Sequence, residues 1–317
     1  MPQVSSAVLL LRKGRSRMID FTLLSGRIIE LMRVGGILFV IALAAFVYII
    51  LAIGINVFRY KKRISDKNDD YLICDVAYFI EKGKREEQED SLYISPMTEI
   101  PENGLIAAVS DGMGGLANGE EVSRYVISRL KSVYPVSFDD TDAVAGILRK
   151  ISDEIYDKYK LSSGATLVMI HIKDNFLNFY STGDSNIILM RGGKTTLLNP
   201  RQNYVSYLVK KMAEGGISTH DAYTNNRARA LTDFMGNREC RIIRTSGPMR
   251  LWEDDVILVT SDGVTDTVNM GRISKYVSPG LSARTSAERL KYAVRAKKNN
   301  RQDNYTGIIV KMERSFL

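Results

Sequence analysis

The stretch Leu105-Ile-Ala-Ala-Val-Ser-Asp-Gly-Met-Gly-Gly115 joins an apolar run to a carboxylate and a glycine-rich turn. The run Leu105–Val109 predicts a buried strand, with Asp111 just past its end. Glycines at 112, 114 and 115 allow a tight turn and a close approach of the backbone to an ion or its waters. An ordinary Asp-Gly turn is the alternative. Because Glu120–Tyr134 has helical spacing, regular structure should hold this loop at both ends.

Three more aspartates are expected in loops beside predicted strands. They are Asp262 after Val256–Thr260, Asp303 before Gly307–Met312, and Asp90 at the end of the run Arg85-Glu-Glu-Gln-Glu-Asp90. Taken alone, that run is better explained as solvated surface charge. If the fold brings the four aspartates together, they form an oxygen-only site that suits a hard divalent cation. An arginine such as Arg85 near a pair of metal ions would bind a phosphate monoester. The pattern therefore predicts metal-assisted phosphate chemistry.

The order of elements from Tyr71 onward predicts an α+β fold with antiparallel sheets rather than a parallel βαβ array. Gly192-Gly193 predicts a hairpin turn, and His171 is expected to be an ordinary strand residue. Besides the strands already given, strands are predicted at Thr166–Ile172, Phe176–Ser181, Ile187–Met190 and Thr195–Leu198. Further helices are predicted at Thr141–Lys160 and Ser286–Lys298.

Charge is distributed unevenly along the chain. Residues 1–70 hold 11 Lys and Arg against 5 Asp and Glu, so they carry +6 of the net charge of +8. The basic character therefore belongs to the N-terminal segment, and membrane proximity explains it better than nucleic-acid binding does. Two cysteines exclude a disulfide framework, and two histidines are too few for most zinc sites or a histidine-driven triad.

Residues 34–58 contain no charged side chain. A helix of that length, about 37 Å, predicts a single transmembrane span. A signal peptide cleaved after Ala42-Leu-Ala44 is the alternative, but it would leave an apolar mature N-terminus. The expected domains are a basic segment at 1–33, the span at 34–58, a linker at 59–70 and a catalytic domain at 71–317.

Basic residues flank both ends of the span, more densely on its C-terminal side. This distribution favours a cell-membrane protein whose catalytic domain is cytoplasmic. Residues 18–33 are partly amphipathic, and they either lie along the membrane surface or extend the anchor helix.

Seven motifs in register resemble the type 2C, or PPM, family of metal-dependent protein serine/threonine phosphatases, in a bacterial-like form. The resemblance runs from about Tyr71 to the C-terminus. The motifs are Arg85…Glu89-Asp90, Asp111-Gly112-Met-Gly-Gly115, Ser163-Gly-Ala-Thr166, Gly183-Asp184-Ser185, Leu231-Thr232…Gly236, Ser261-Asp262-Gly263 and Asp303-Asn304.

The resemblance implies an α-β-β-α sandwich of two antiparallel sheets flanked by helices, with two Mn²⁺ or Mg²⁺ ions at one end. Arg85 would bind the substrate phosphate, and Glu89 would hold a water on the metal. Asp184 could share a third, weaker ion with Asp262. Hydrolysis would proceed directly, by water that the two ions activate. The implied metal ligands are Asp90, Asp111, the Gly112 carbonyl, Asp184, Asp262 and Asp303.

Several positions depart from the family pattern without removing a metal ligand. Met113 stands where some members carry a histidine suggested as proton donor. Gln202 and Asn203 fall where many members have Asp-His, and Asn186 replaces a frequent arginine. The polar stretch 199–229 is expected to be the family's mobile flap, with a surface excursion of no role in substrate choice as the alternative.

The leading hypothesis is a membrane-anchored phosphatase that hydrolyses phosphoserine and phosphothreonine in proteins. The expected partners are phosphorylated proteins, the lipid bilayer and a membrane Ser/Thr kinase whose action it opposes, and no nucleic acid is expected. The alternative is a catalytically inactive, membrane-tethered binding module. Retention of every metal carboxylate argues against that alternative, since buried acids without a function are costly.

Overall fold

The computed structural model describes residues 36, 45–51, 53–55, 72–113, 118–134, 140–225, 227, 230–297 and 300–314. The chain divides into two compact units, Met1–Asp69 and Asp70–Leu317. In the first unit, the described residues are helical and exposed. Most of the predicted span 34–58, and all of 1–33 and 59–70, lie outside the described residues. Within the described ranges, no helix is long and apolar enough to cross a membrane.

The second unit is built from short strands and helices. The strands are β1 Leu72–Glu81, β2 Asp90–Ile94, β3 Leu105–Asp111, β4 Leu167–Lys173, β5 Phe176–Thr182, β6 Asn186–Arg191, β7 Lys194–Leu197, β8 Ile243–Arg244, β9 Met249–Arg250, β10 Val256–Thr260 and β11 Tyr305–Arg314. The helices are α1 Ile100–Asn103, α2 Gly119–Val133, α3 Thr141–Tyr159, α4 Tyr204–Ala213, α5 Thr219–Thr224, α6 Asp262–Thr265, α7 Met270–Ile273 and α8 Ala283–Arg295.

The strands form two antiparallel sheets. One has the order β1-β11-β10-β6-β7, and the other has the order β2-β3-β4-β5-β8 with β9 also paired to β5. Two antiparallel sheets with flanking helices confirm the expected sandwich.

Alternation along each strand explains the layers, because successive side chains point to opposite faces of a sheet. In β3, Leu105, Ala107 and Val109 join the core between the two sheets. Ile106 and Ala108 face the other way and pack with residues of α2 and α3. The central strands therefore bury both faces, which is why they appear in the sequence as continuous apolar runs.

The helices cover the outer faces with one apolar side each. On the second sheet, α2 and α3 contribute residues such as Val126 and Leu148 to the core. On the first sheet, Leu290 of α8 packs with residues of β10 and β11. The start of α8 is fixed to β1, because Ala283 donates its backbone N–H to Asp75 Oδ2 at 2.7 Å.

Most predicted elements are confirmed, and the differences concern α8, β1 and β2. The hairpin turn at Gly192-Gly193 joins β6 to β7, and both glycines have positive φ. Helix α8 begins three residues earlier than expected, because the Ser282 side chain accepts the Thr285 N–H and caps it. Strands β1 and β2 were not predicted. In particular, Asp90 is the first residue of β2 rather than part of a loop.

Candidate active site

Asp90 and Asp111 are directly opposite each other where β2 and β3 pair. The expectation that they lie in loops was wrong, because each is a terminal residue of a paired strand. Opposite residues on antiparallel strands have neighbouring side chains, so the ladder itself brings the two carboxylates together. Gly112, the next residue, donates its N–H to the Glu89 carbonyl oxygen at 3.0 Å.

Two further motifs hold Asp111 in place. Its N–H donates to Thr166 Oγ1 at 3.1 Å, and the Thr166 N–H donates to the Asp111 carbonyl at 2.8 Å. Thr166 Oγ1 in turn lies 2.7 Å from Ser185 Oγ, next to Asp184. The Ser-Gly-Ala-Thr and Gly-Asp-Ser motifs thus form a buried hydrogen-bonded support beneath the site.

Ser261 links the two sheets at the same end of the sandwich. Its Oγ donates to Asp90 Oδ2 at 2.8 Å and accepts the Thr306 N–H at 3.0 Å. Asp262 follows as the first residue of α6. At Gly263, a Cβ atom would overlap the Asn304 carbonyl oxygen, so this approach of two loops requires glycine.

Asn304 fastens the loop between β1 and β2 to the segment before β11. Its Nδ2 donates to the Lys82 and Glu87 carbonyl oxygens at 2.7 and 3.0 Å. Its Oδ1 accepts the Glu89 N–H at 2.9 Å. Sequence reasoning assigned Asn304 no role beyond following Asp303, because its partners lie more than 200 positions away in the chain.

Arg85 and Asp303 form an ion pair in this structure. Arg85 Nη2 lies 2.7 Å from Asp303 Oδ2, and each side chain is 43% exposed. The two residues were expected to have separate roles, as phosphate-binding arginine and metal ligand. Here the arginine that would bind phosphate is held by one of the predicted ligands. An exposed pair of this kind contributes little stability, so either partner can be exchanged for another at small cost.

Asp184 is buried and lies at the edge of the polar stretch predicted to be a flap. Its Oδ2 accepts from Asn203 Nδ2 at 3.3 Å. Asn203 also caps α4, since its Oδ1 accepts the Ser206 N–H. Helices α4 and α5 occupy this stretch, and Asn203 therefore connects it to a predicted metal ligand.

Burial and mutual repulsion raise the pKa of several of these carboxyl groups. Burial, followed by the charge of Asp90, Asp262 and Asp184, holds the pKa of Asp111 well above its usual range. Burial and the neighbouring carboxylates, Asp184 first, raise the pKa of Asp262 to about 8. Burial raises the pKa of Asp90 to about 6, although the hydrogen bond from the Ser261 hydroxyl lowers it. Without cations, these carboxyl groups therefore hold protons that ordinary carboxyls lose, and full ionisation of the site is unfavourable unless positive charge is bound there.

Glu89 has a raised pKa as well, mainly because it is partly buried, while Arg85 lowers it. Gly119 packs against its carboxylate so closely that a Cβ there would lie 2.5 Å from Glu89 Oε1. Glu89 is thus placed between the loop before β2 and the start of α2.

The donor set fits a hard divalent cation. Asp90 Oδ1 is buried without a hydrogen-bond partner among the described residues, and the Asp262 carboxylate makes no hydrogen bond or ion pair with any of them. All the converging atoms are oxygens, which Mg²⁺ and Mn²⁺ prefer. As placed, no three His, Cys, Asp or Glu side chains in the described part of the chain already form a group that could hold an ion. The carboxylates thus share one end of the sandwich without closing on a common point.

Other predicted residues have structural roles. His171 lies in β4, where its Nε2 is 3.0 Å from the Asn103 carbonyl oxygen, as expected of a strand residue. Gln202 is buried, and its side chain bonds the Gly183 N–H and the Arg241 carbonyl. It therefore supports the turn before Asp184 instead of supplying a charged group. The Cys74 thiol is buried enough to raise its pKa to about 12, so it is no nucleophile.

No protein-family model matches the chain. Over 197 residues it is 27% identical to the serine/threonine protein phosphatase PstP of Mycobacterium tuberculosis. That match covers 58% of this chain and 35% of PstP, so the chain spans little more than a third of the curated relatives that it matches.

Solved structures of phosphatases share the fold. The Mycobacterium tuberculosis phosphatase PstP/Ppp is 25% identical with a TM-score of 0.62, covering 77% of this chain and all of that one. The catalytic domain of PstP has also been solved with two manganese ions, at a TM-score of 0.61. Stp1 from Staphylococcus aureus is 20% identical with a TM-score of 0.65, covering 76% of this chain and 96% of that one, and it supports the fold alone. Ordered motifs, sequence similarity to PstP and a shared fold agree, and the chain is similar to the serine/threonine protein phosphatases.

Proposed function

We propose that this chain is a metal-dependent phosphatase acting on phosphoserine and phosphothreonine in proteins. One observation carries the proposal. Carboxylates from both sheets lie at the same end of the sandwich. Burial and mutual repulsion hold the pKa of Asp111 well above its usual range and raise that of Asp262 from 3.8 to about 8. Such an arrangement costs free energy unless cations neutralise it. The two manganese ions of the PstP catalytic domain support the same assignment here.

The predicted ligands would hold the metal ions. Asp90, Asp111 and Asp262, with the Gly112 carbonyl and Asp303, would hold two Mn²⁺ or Mg²⁺ ions, and Asp184 could hold a third with Asp262. When bound, the ions supply a water of lowered pKa and neutralise charge on the phosphoryl group.

Arg85 and Glu89 act on the substrate side of the site. Arg85 would exchange Asp303 for the substrate phosphate, because its planar guanidinium matches two phosphate oxygens. Glu89, whose pKa is raised by burial, would accept a proton from the attacking water. The exchange at Arg85 would also release Asp303 toward the ions.

Phosphate release by the full chain tests this proposal. We expect hydrolysis of a phosphothreonine peptide with Mn²⁺, none with EDTA, and a loss of at least about 100-fold in Asp262→Asn. Asp153→Asn, on an exposed face of α3, is the matched control and should retain activity. A folded protein that binds Mn²⁺ and the phosphopeptide but releases no phosphate would support the alternative, an inactive binding module. The observation favouring that alternative is the Arg85–Asp303 ion pair, which occupies the phosphate-binding arginine.

The proposed location is the cell membrane, with a single span at residues 34–58 and the catalytic domain in the cytoplasm. The uncharged run and its basic flanks support this. A phosphatase there would oppose a membrane Ser/Thr kinase. Extraction of membranes with alkaline carbonate is the test, since an integral protein stays with the lipid. Release of the full chain into the supernatant would contradict the anchor.

A further inference from the structure

A pocket of about 590 Å³ lies beside the candidate active site, between the loop after β1 and the segment before β11. Lys84, Arg295 and Tyr305 are among its lining residues. Lys84 is adjacent to Arg85, and its backbone N–H donates at 2.8 Å to the carbonyl oxygen of Gln302, the neighbour of Asp303. Each wall of the pocket therefore contains a chain neighbour of the Arg85–Asp303 pair, Lys84 on one side and Gln302 on the other.

Three side chains of this pocket are donors without a polar partner among the described residues. Lys84 and Arg295 form no ion pair with any residue that the structure describes. Tyr305 is only 3% exposed, yet its hydroxyl makes no hydrogen bond within the described ranges. A tyrosine hydroxyl without a protein partner is free to donate to water or to a ligand in the pocket. An ammonium, a guanidinium and a hydroxyl around one concave space suit an oxyanion.

One carboxylate, Glu81, also lines the pocket and opposes an anion. Its charge is partly balanced, because Lys291 Nζ of α8 lies 4.0 Å from Glu81 Oε1. The positive charge of Lys84 and Arg295 therefore outweighs it. The backbone around Gly83 also keeps the pocket close to the site, since a Cβ there would overlap the Asp303 carbonyl oxygen.

We infer that this pocket binds a second anionic group of the phosphoprotein substrate, a carboxylate or a phosphate a few residues from the phosphorylated serine or threonine. The inference rests on the proposed phosphatase function. An extended peptide advances about 3.3 Å per residue, so a side chain a few positions from a phosphate at Arg85 can reach a pocket that begins at Lys84. The substrates selected would be phosphoproteins with an acidic or doubly phosphorylated segment.

Kinetics on matched peptides test this inference with the full chain. Each peptide carries one phosphothreonine, flanked by alanine alone, by one aspartate, or by one non-hydrolysable phosphonate, within about four residues on either side. We expect kcat/KM to be about tenfold higher for an anionic flank at the preferred position, with the gain in KM and reduced by salt. The aspartate and phosphonate series show which oxyanion the pocket prefers.

Three variants localise the effect. Arg295→Ala, Lys84→Gln and Tyr305→Phe should each remove most of the preference while leaving hydrolysis of the alanine-flanked peptide and of p-nitrophenyl phosphate unchanged. Using three keeps the test valid if one variant fails to fold. Arg289→Ala is the matched control for Arg295→Ala, because both arginines lie on α8 but Arg289 lines a separate surface groove. It should keep the full preference.

The outcomes separate this inference from the proposed function. Equal kcat/KM for neutral and anionic peptides in the unmodified protein overturns the inference, as does an equal loss in Arg289→Ala. Failure to hydrolyse even p-nitrophenyl phosphate with Mn²⁺ overturns the phosphatase proposal instead. In that case fluorescence anisotropy of the anionic peptide decides. Unchanged affinity in Arg295→Ala and Tyr305→Phe would then overturn the pocket assignment.

Discussion

Single side chains at this site connect segments that are distant in the sequence. Asn304 bonds three backbone groups of the loop between β1 and β2, across 215 to 222 positions of the chain. Ser261 similarly joins Asp90 of one sheet to Thr306 of the other. Each uses one short polar side chain to fix two loops at once. The geometry of the carboxylates therefore depends on neutral residues as much as on the acids.

Replacing Asn304 by alanine should damage both stability and metal binding. The change removes the partner of the Lys82 and Glu87 carbonyls and of the Glu89 N–H, and the loss of each partly buried hydrogen bond costs about 0.5–1.5 kcal/mol. We expect a lower melting temperature and a weaker apparent Mn²⁺ affinity, measured by differential scanning fluorimetry during a Mn²⁺ titration. Glu86→Ala, at an exposed position of the same loop, is the control. Identical titrations for the two variants would show that Asn304 does not organise the site.

At the scale of elements, a strand could be predicted from the sequence when its own apolar residues bury both of its faces. It could not be predicted when pairing with another strand defines it. Central strands such as β3 and β10 bury both faces, so their apolar runs could be recognised without a structure. β1 is an edge strand with a largely half-buried pattern, and β2 is short and follows a charged run. Both are strands because of their partners, β11 and β3, and the residues of β1 and β2 alone do not show that pairing.

The same limit applies to the site: its residues could be recognised from local motifs, but the contacts between distant segments could not. The motifs gave the identities of the carboxylates, but not the direct opposition of Asp90 and Asp111, which exists only through β2–β3 pairing. The Arg85–Asp303 ion pair was also not predictable, because it joins two segments 218 residues apart. Asp184 was identified from the family resemblance alone.

Two glycines should respond in opposite ways to alanine. Gly263 in α6 faces the Asn304 carbonyl so closely that a Cβ would overlap it, so Gly263→Ala must displace one of the two loops that carry the carboxylates. Gly146 lies in α3, where a Cβ would have no described atom within 4 Å apart from its own helix backbone and chain neighbours. There, alanine should stabilise the helix by about 0.5–1 kcal/mol. Urea unfolding measures both, and a neutral effect of Gly263→Ala would contradict the close approach.

The whole domain places negative charge from both sheets at one end of the sandwich. Asp90 and Asp111 come from one sheet, while Asp262 and Asp303 adjoin strands of the other. Without cations, the charges push apart the ends of two sheets that share one apolar core. Cations at this end would instead fasten the sheets together. Metal binding and folding stability should therefore be linked across the entire domain.

This linkage predicts an unusual pH dependence for the metal-free protein. The folded state raises the pKa of Asp262 from 3.8 to about 8 and that of Asp90 to about 6, so it binds protons more tightly than the unfolded chain does. The contribution of these two groups to the free energy of unfolding is therefore greatest below pH 4 and is lost as the pH rises toward 8. Surface carboxyls such as Glu154, whose pKa Arg129 lowers, act in the opposite direction but only near and below pH 4.5.

Between pH 5 and 8 in EDTA, we therefore expect the melting temperature to fall by about 2–4 °C per pH unit. Asp262→Asn should flatten this slope, because it removes one of the titrating groups, whereas Asp153→Asn should not. Saturating Mn²⁺ should reverse the sign of the slope, because the ions bind the deprotonated carboxylates and release protons. Scanning calorimetry across this range is the measurement. A melting temperature in EDTA that rises steadily from pH 5 to 8 would mean that the carboxylates do not repel one another in the folded domain.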